Sequence, residues 1–483
     1  MSDDIRRRAL SGLFWSMLQN WSGKGLGFLL FLVLARLLTP AQLGVAAAVN
    51  IVIVFTSLIA EQGFSDAIVQ RRELRDADAN LPFYSALLAA SVLAMAVVLL
   101  SSRIEQWLNV PGLAPLLAVA CATLPLGALS MFQEAFYRRQ LMFKQVAVRM
   151  LVTSTIAGVV AVGCAYAGMG SWSLVVQALV MNALNVAWLW HAPLWRPGRE
   201  LRKDSYRQIV TFSGSVLTAR VMDVVGTRSI EVLIVGLHGA AALGLYAVGS
   251  RVLQTLMQLL SSAVTNVSLG ALSRMAHDVG RLRSAFLQTL SASSALAVPV
   301  FVAGAALAPE FVNVLFGARW AASVPVMQVL MLLGALQCVQ FVNGPTFGAL
   351  GRPHYLAWMA FLKAAAAIVA LLLVPTRDVV ELTAVYALSQ LVTTPLTYVW
   401  LLKCLDLKLR TIAAEIVPFY MAAALAYAGV HAARSGLVAM EGVALPLPVA
   451  LLVLAGVFAL IYSLAALVFG FRQLQRIRMI FRK

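Results

Sequence analysis

The sequence predicts an all-α polytopic membrane protein with about fourteen transmembrane helices. Three observations predict this fold class. Hydrophobic residues make up 61% of the 483 residues and charged residues only 12%, a composition that soluble domains do not have. Apolar segments of about 20 residues, long enough to cross a bilayer, recur along the chain. The lysines and arginines between these segments are also unevenly distributed.

The positions of the 37 lysines and arginines predict the orientation of the chain. Six of these residues lie inside the predicted spans, and most of the others lie in the N-terminal segment, the even-numbered loops and the C-terminal tail. Because cytoplasmic loops are enriched in Lys and Arg, both termini are expected in the cytoplasm. The net charge of +17 therefore reflects membrane topology, and nucleic-acid binding is disfavoured. The odd-numbered loops contain only Arg36, Arg103, Arg319, Arg377 and Arg434.

The predicted helices follow one another with short connections. At the cytoplasmic end of span 4, Glu134 and Arg138 are one helical turn apart and predict a local ion pair. The basic tail alternates apolar and arginine residues, which fits either a helix on an anionic leaflet or a last topology signal. The spans are expected at about 13–35, 42–61, 82–101, 114–136, 146–167, 170–191, 208–236, 240–262, 284–307, 323–347, 354–374, 379–402, 411–433 and 446–469.

Span 1 carries a lysine near the middle of the membrane. Lys24 lies in a glycine-rich stretch and shares a helical face with Asn20. A lysine at this depth costs roughly 2.5–3.5 kcal/mol on insertion scales, so it is expected to face protein or a water-filled cavity. An ion pair that serves only packing is the alternative. In span 2, Asn50 lies on a polar face.

Span 7 is the most polar of the predicted helices. Arg220, Asp223, Thr227 and Glu231 are spaced 3, 4 and 4 residues apart, which places them on one helical face. A polar stripe with a mid-depth arginine is difficult to explain in a helix that faces lipid. Local pairs that neutralise themselves, Arg220 with Asp223 or Arg228 with Glu231, are the alternative.

Three later spans repeat this pattern of polar residues inside apolar segments. In span 8, Arg251, Gln254, Gln258 and Ser262 are again 3, 4 and 4 residues apart. Polar stripes on two neighbouring spans indicate a shared polar surface in the interior of the protein. The other two spans contribute Gln337 and Gln340 on one face of span 10, and Lys363 near the middle of span 11.

The two halves of the chain contain a weak internal repeat. A shift of 200 positions places residues 40–50 (PAQLGVAAAVN) on residues 240–250 (AAALGLYAVGS), and it aligns Gly44 with Gly244. Two parallel six-span repeats with a substrate site between them are a known plan for transporters. The expected organisation is an N-terminal lobe (1–195), a basic cytoplasmic linker (196–207), a C-terminal lobe (208–403), spans 13 and 14 (404–470) and a basic cytoplasmic tail (471–483).

The charges inside the spans indicate an anionic substrate. The cations outnumber the carboxylates, and phosphate oxygens accept charge-assisted hydrogen bonds from Arg and Lys. The sequence has no P-loop motif and no zinc-ligand spacing, so no cofactor or metal is expected. The short loops leave no extramembrane domain for a sugar-nucleotide site. These features predict a transporter and not an enzyme.

Five segments resemble the polysaccharide-export branch of the MOP flippase superfamily. They occur in the order found in that branch, and the resemblance extends over roughly residues 10–355. The segments are 35–45 (ARLLTPAQLGV), 63–70 (GFSDAIVQ), 271–274 (ALSR) with Asp278 and Arg281, 316–320 (FGARW) and 350–353 (LGRP).

The resemblance implies a Wzx-type flippase. Such proteins move an undecaprenyl-pyrophosphate-linked oligosaccharide from the cytoplasmic to the periplasmic leaflet of the bacterial inner membrane by alternating access. The implied fold is two six-helix lobes that form a V around a central cavity, plus two extra C-terminal helices. The implied partners are the lipid-linked oligosaccharide, membrane lipids, and polysaccharide polymerase and chain-length proteins.

The resemblance and the polar faces together suggest roles for individual residues. Lys24, Arg220, Arg251 and Lys363 are expected to bind the pyrophosphate. Asp223 and Glu231 are expected to orient these cations or to carry a coupling ion, Na⁺ or H⁺. Three alternatives stay open: a multidrug exporter of the same superfamily, a lipid II flippase, and a membrane-embedded polysaccharide polymerase or ligase. The remaining cavity residues are Asn20, Asn50, Gln254, Gln258, Gln337 and Gln340, of which the glutamines are expected to contact sugar hydroxyls.

Overall fold

The computed structural model describes residues 23, 25–71, 74–275, 278–352, 354–439 and 446–480. Asn20, Lys24 and the side chain of Asp223 lie outside the described part of the molecule. Within the described residues the regular structure is α-helix with three short 3₁₀ segments, and no β-strand occurs there. The predicted all-α membrane fold class is confirmed.

The chain divides into two compact units between Gly244 and Leu245. The predicted lobe boundaries at 195 and 208 stay a prediction. The described helices of the first unit are α1 (Gly25–Leu37), α2 (Pro40–Glu61), α3 (Phe64–Gln70), α4 (Asn80–Leu108), α5 (Leu113–Ala120), α6 (Thr123–Arg139), α7 (Phe143–Tyr166), α8 (Trp172–His191) and the first part of α9 (Lys203–Arg274).

The second unit begins within α9 and ends with a short helix in the basic tail. Three 3₁₀ segments, Asp76–Ala79, Ala318–Ser323 and Val339–Val342, complete the described regular structure of the two units. The helices of the second unit after α9 are α10 (Val279–Ala306), α11 (Ala308–Leu315), α12 (Val324–Cys338), α13 (Asn343–Ala349), α14 (His354–Leu373), α15 (Val379–Leu405), α16 (Leu409–Ala439), α17 (Leu447–Phe469) and α18 (Phe471–Ile480).

Twelve helical stretches of the described residues are long and apolar enough to cross a membrane, so the count of fourteen is not confirmed. The difference arises at two places. Span 1 is described only as Gly25–Leu37, which is too short to count. Spans 7 and 8 lie in one helical run, α9, which leaves helical geometry at Gly239 with φ 80° and ψ 179°. Glycine adopts this backbone conformation without a Cβ clash.

The end of α2 is built so that two acidic residues come close together. Thr39 caps the start of α2 and accepts a hydrogen bond from the Gln42 backbone N–H. At the other end, Gln62 and Gly63 both have left-handed φ values, 49° and 71°. This sharp turn separates α2 from α3 by only two residues. Glu61 at the end of α2 therefore lies near the first turn of α3, which contains the second acidic residue, Asp66.

The linker predicted at 196–207 is attached to the first unit. The Arg202 guanidinium contacts the buried Asp78 carboxylate at 3.0 Å. The Gly198 backbone N–H donates to Asn80 Oδ1 at 2.9 Å, and the Trp195 indole N–H donates to the Asp76 carbonyl. These contacts hold the start of the linker against the beginning of α4.

The predicted span 10 is interrupted in the structure. Helix α12 ends at Cys338, a 3₁₀ segment covers Val339–Val342, and α13 begins at Asn343. The Tyr398 hydroxyl from α15 donates to the Val339 carbonyl at 3.0 Å, which satisfies a backbone group at the interruption. A 3₁₀ stretch inside a helix often marks a functional position, and interrupted transmembrane helices often form the binding sites of transporters.

Candidate functional site

A cavity of about 560 Å³ lies in the second unit. Its walls come from the second part of α9, the interruption between α12 and α13, and α14. The volume is in the range of roughly 300–1,000 Å³ that is typical of small-molecule sites. Apolar side chains such as Phe341 and Met359 line part of it. The polar lining residues are Ser261, Thr265, Gln340, Asn343 and Lys363.

Lys363 is the one charged residue among the described residues that line this cavity. It lies half-buried near the middle of α14, as the sequence predicted. Its ammonium group donates a hydrogen bond to Gln340 Oε1, and in the described part of the chain it forms no ion pair. A lysine ammonium carries three N–H donors, so two donors are left for a ligand.

A closed series of hydrogen bonds positions Lys363. Gln340 Nε2 donates to the Thr394 hydroxyl at 3.1 Å, and that hydroxyl donates to the Gln390 carbonyl at 2.7 Å. The Gln390 side-chain amide then donates to the Lys363 backbone carbonyl at 3.4 Å. Because its nitrogen is engaged by Thr394, the Gln340 amide presents its oxygen to the lysine. The series ties α14 and α15 to the interrupted helix.

The cavity wall also contains an amide that has no partner. Asn343 is 3% exposed, and neither its side-chain oxygen nor its nitrogen has a hydrogen-bond partner within the described structure. Unpaired buried polar groups are rare in folded proteins because each costs about 1–3 kcal/mol. The Asn343 amide is therefore an uncompensated polar group in the wall of the cavity.

The structure brings two of the predicted site residues together, Lys363 and Gln340. Gln337 lies half-buried on α12. The predicted polar stripe of α9 continues at helical spacing to Ser261 and Thr265, which line the cavity. Sequence reasoning missed these two hydroxyls and Asn343, although the spacing from Gln258 could have identified the first two. The exposed members of the predicted set are Asn50 on α2 and Arg251, Gln254 and Gln258 on α9.

Arg220 in the first unit contacts two carboxylates that lie outside its own helix. It pairs with Asp66 of α3 at 2.7 Å and with Glu61 of α2 at 3.6 Å. Asp66 belongs to the GFSDAIVQ segment, but no pattern in the sequence pairs it with Arg220. The turn between α2 and α3 brings the two acidic side chains to the same arginine. Within the described residues, Arg220 is therefore charge-compensated.

A second ion-pair group lies at the end of α6. The predicted pair of Glu134 and Arg138 is confirmed. The structure adds Arg149 of α7, which contacts the other oxygen of the same carboxylate at 2.8 Å. Arg149 is only 3% exposed, and its Nε and Nη1 atoms have no partner in the described structure. Sequence reasoning did not single out this arginine, although Gln145 and Thr153 lie four residues before and after it on the same helical face.

Glu231 also forms an ion pair, with an arginine on its own helix. It is buried, and both of its carboxylate oxygens accept hydrogen bonds from Arg228 Nη1, at 2.8 and 2.7 Å. This self-neutralising pair is the alternative that the spacing of span 7 allowed. A coupling ion at Glu231 would have to compete with that guanidinium.

The helices and the cavity define a multi-pass membrane protein with a transporter fold. The structure is similar to that of the lipid II flippase MurJ in an inward closed conformation, with a TM-score of 0.76, 10% identity, and coverage of 95% of this chain and 99% of that one. It is also similar to an inward-facing multidrug resistance MATE family transporter of the MOP superfamily, with a TM-score of 0.61 and 14% identity over 82% of this chain and 98% of that one.

Residues 33–325 match the model of the polysaccharide biosynthesis protein family, and the chain belongs to this family. A relative from Rhizobium meliloti (strain 1021), the succinoglycan biosynthesis transport protein ExoT, is 25% identical over 354 residues, or 73% of this chain and 71% of that protein. The lipopolysaccharide biosynthesis protein WzxC of Escherichia coli (strain K12) is 25% identical over 345 residues, or 69% of this chain and 68% of that protein.

Proposed function

We propose that this protein is a flippase that moves an undecaprenyl-pyrophosphate-linked oligosaccharide from the cytoplasmic to the periplasmic leaflet. The membrane is the bacterial inner membrane, and both termini face the cytoplasm. The family and the relatives named for succinoglycan transport and lipopolysaccharide biosynthesis support this assignment. The fold supports it as well, because the structural neighbours are a flippase and a multidrug resistance transporter.

One observation in the structure carries the proposal. Lys363 lies near the middle of a membrane-spanning helix, in a cavity, and its described partner is the neutral Gln340. A charge at this depth is costly and is normally functional. An anionic ligand would offset that cost by a charge-assisted hydrogen bond. The site is built on an interrupted helix, as is common in transporters that work by alternating access.

The roles of the other predicted cations follow from their surroundings. Arg220 already pairs with Asp66 and Glu61, so it would bind the pyrophosphate only by exchanging these carboxylates for the ligand. Such an exchange would couple substrate arrival to the contacts between α3 and α9. Lys24 and Arg251 stay candidates for the same ligand on the grounds of their position in the sequence.

The proposal is tested by deleting the gene and locating the lipid-linked glycan with a label that is restricted to the periplasm. Loss of surface polysaccharide, with the oligosaccharide trapped on the cytoplasmic side, is expected. The Arg220→Gln and Arg251→Gln variants, in normally inserted protein, are then expected to lower export. Normal periplasmic delivery in a strain without a redundant flippase would overturn the assignment.

The fold also resembles that of a multidrug transporter, which makes drug export the second candidate. Lys363, the one charged residue in the described lining of the cavity, disfavours a cationic drug by like-charge repulsion. A change in drug susceptibility on deletion, with normal surface glycan, would favour drug export over the flippase. The similarity to MurJ raises lipid II as a third substrate, and essentiality for growth would favour it.

We also propose that the protein transports its substrate without chemically altering it. A membrane-embedded polymerase or ligase would leave unmodified repeat units in the periplasmic leaflet when it is deleted. The flippase would instead leave them in the cytoplasmic leaflet. The same periplasm-restricted label therefore distinguishes the two classes.

A further inference from the structure

We propose that the cavity of the second unit binds a carboxylate-bearing sugar of the translocated oligosaccharide, and that Lys363 contacts that carboxylate. This inference rests on the proposed flippase function and names the part of the substrate that the cavity recognises. It departs from the expectation that Lys363 binds the pyrophosphate.

The charge on the described lining of the cavity matches a single negative charge on the ligand. Lys363 is the one charged side chain among the described residues that line it. A pyrophosphate that links a lipid to a sugar carries two negative charges, and a site for it would be expected to supply more than one cation. A carboxylate carries one charge and matches one ammonium group. A buried charge that is left without its counterpart is costly, so this difference decides between the two ligands.

The donors of Lys363 also match a carboxylate. One of its three N–H groups is used by Gln340, and Gln340 is held in place by Thr394. The two remaining donors are matched by the two acceptor oxygens of a carboxylate. Because the hydrogen-bond series fixes the ammonium group before a ligand arrives, little side-chain entropy is lost on binding.

The other lining groups suit a sugar ring. Ser261 donates its hydroxyl to the Gln258 carbonyl, so its oxygen is left to accept a hydrogen bond from a sugar hydroxyl. Thr265 presents a second hydroxyl, and Phe341 offers an aromatic surface for the apolar face of the ring.

The test uses the full chain in lipid nanodiscs and ligand-observed NMR with three probes: methyl glucuronide, methyl glucoside and farnesyl pyrophosphate. We expect the glucuronide to bind and the glucoside to bind at least about ten-fold more weakly, since it lacks the charge-assisted hydrogen bond. Lys363→Met should abolish the preference for the glucuronide, and Lys363→Arg should retain it. The Lys363→Arg variant also reports whether position 363 tolerates substitution in folded protein.

Two outcomes would overturn the inference. In the first, farnesyl pyrophosphate displaces the glucuronide from the wild-type protein and this competition is lost in Lys363→Met. In the second, the glucoside binds as tightly as the glucuronide. Export in cells separates this failure from failure of the proposed function. A Lys363→Met variant that exports acidic repeat units as fast as the wild-type protein keeps the flippase function but overturns the proposed carboxylate site.

Discussion

Gly44 of α2 and Gly244 of α9 pack against each other by a reciprocal contact. A Cβ on Gly44 would collide with the backbone carbonyl of Ala240, and a Cβ on Gly244 would collide with that of Pro40. Each glycine thus lies against the residue four positions before the other. The same two glycines align when the sequence is shifted by 200 positions. The two segments that this shift aligns therefore contact each other through matching positions.

Substitution of Gly44 by alanine is expected to destabilise the first unit by about 1–3 kcal/mol, because the backbones cannot approach once a Cβ is present. The measurement is thermal unfolding of the purified protein in detergent. Gly163→Ala is the matched control, because it lies in α7 with no atom within 4 Å of its added Cβ. Alanine in that helix interior should be neutral or slightly stabilising. Equal melting temperatures for the two variants would contradict the close contact.

Two arginines that share one carboxylate should differ strongly in their effect on stability. Arg149→Met leaves Glu134 without its buried partner, and loss of one member of a buried pair typically costs about 3–5 kcal/mol. Arg138→Met removes a half-exposed partner from the same carboxylate, and such pairs contribute about 0–1 kcal/mol. Unfolding in urea with tryptophan fluorescence measures both variants. If Arg138→Met lowers the free energy of unfolding more than Arg149→Met does, the burial of Arg149 does not determine how strongly each arginine stabilises the protein through Glu134.

Gln340→Leu should lower export by about ten-fold. Loss of a hydrogen bond to a charged group costs about 1.5–3 kcal/mol, and a bound ligand offsets part of that cost. The expected cause is misplacement of the Lys363 ammonium. Gln328→Leu removes a similar amide from α12, away from the cavity lining and outside the set of predicted sugar contacts, and serves as the control. The initial rate of export in cells that express equal amounts of each variant is the measurement. If both variants lose export equally, Gln340 has no special role.

The pair of Arg434 and Glu310 in the second unit should not tolerate a lysine. The guanidinium contacts both carboxylate oxygens at 2.7 Å and also donates to the Ala306 carbonyl at 2.6 Å. A lysine cannot reproduce this planar, two-point contact. Arg434→Lys is therefore expected to cost about 1–3 kcal/mol in thermal unfolding. The same change at the exposed Arg281, which pairs with Asp278, should cost less than about 1 kcal/mol.

The sequence predicted most of the fold because membrane-spanning helices are encoded by local apolar length. It also singled out Lys363 as a charge near mid-depth and Gln340 as part of a polar face of its helix, and both residues line the cavity. It could not pair Arg220 with Asp66, because those residues are 154 positions apart and only the turn after α2 brings them together. It also missed the interruption at Val339–Val342, although Gly344 and Pro345 follow it closely and Pro345 has no N–H to donate to the Phe341 carbonyl.

The position of Lys363 has a consequence for how the membrane potential acts on the protein. A charge near the middle of a membrane-spanning helix lies in the transmembrane electric field, in which moving one elementary charge across the membrane is worth about 2.3 kcal/mol per 100 mV. With a carboxylate bound at Lys363, the occupied site is electrically neutral. The empty site carries a positive charge, so a potential that is negative inside draws it toward the cytoplasm. Voltage would thus return the empty carrier to the side where its substrate is made, and it would leave the outward step of the loaded carrier unopposed.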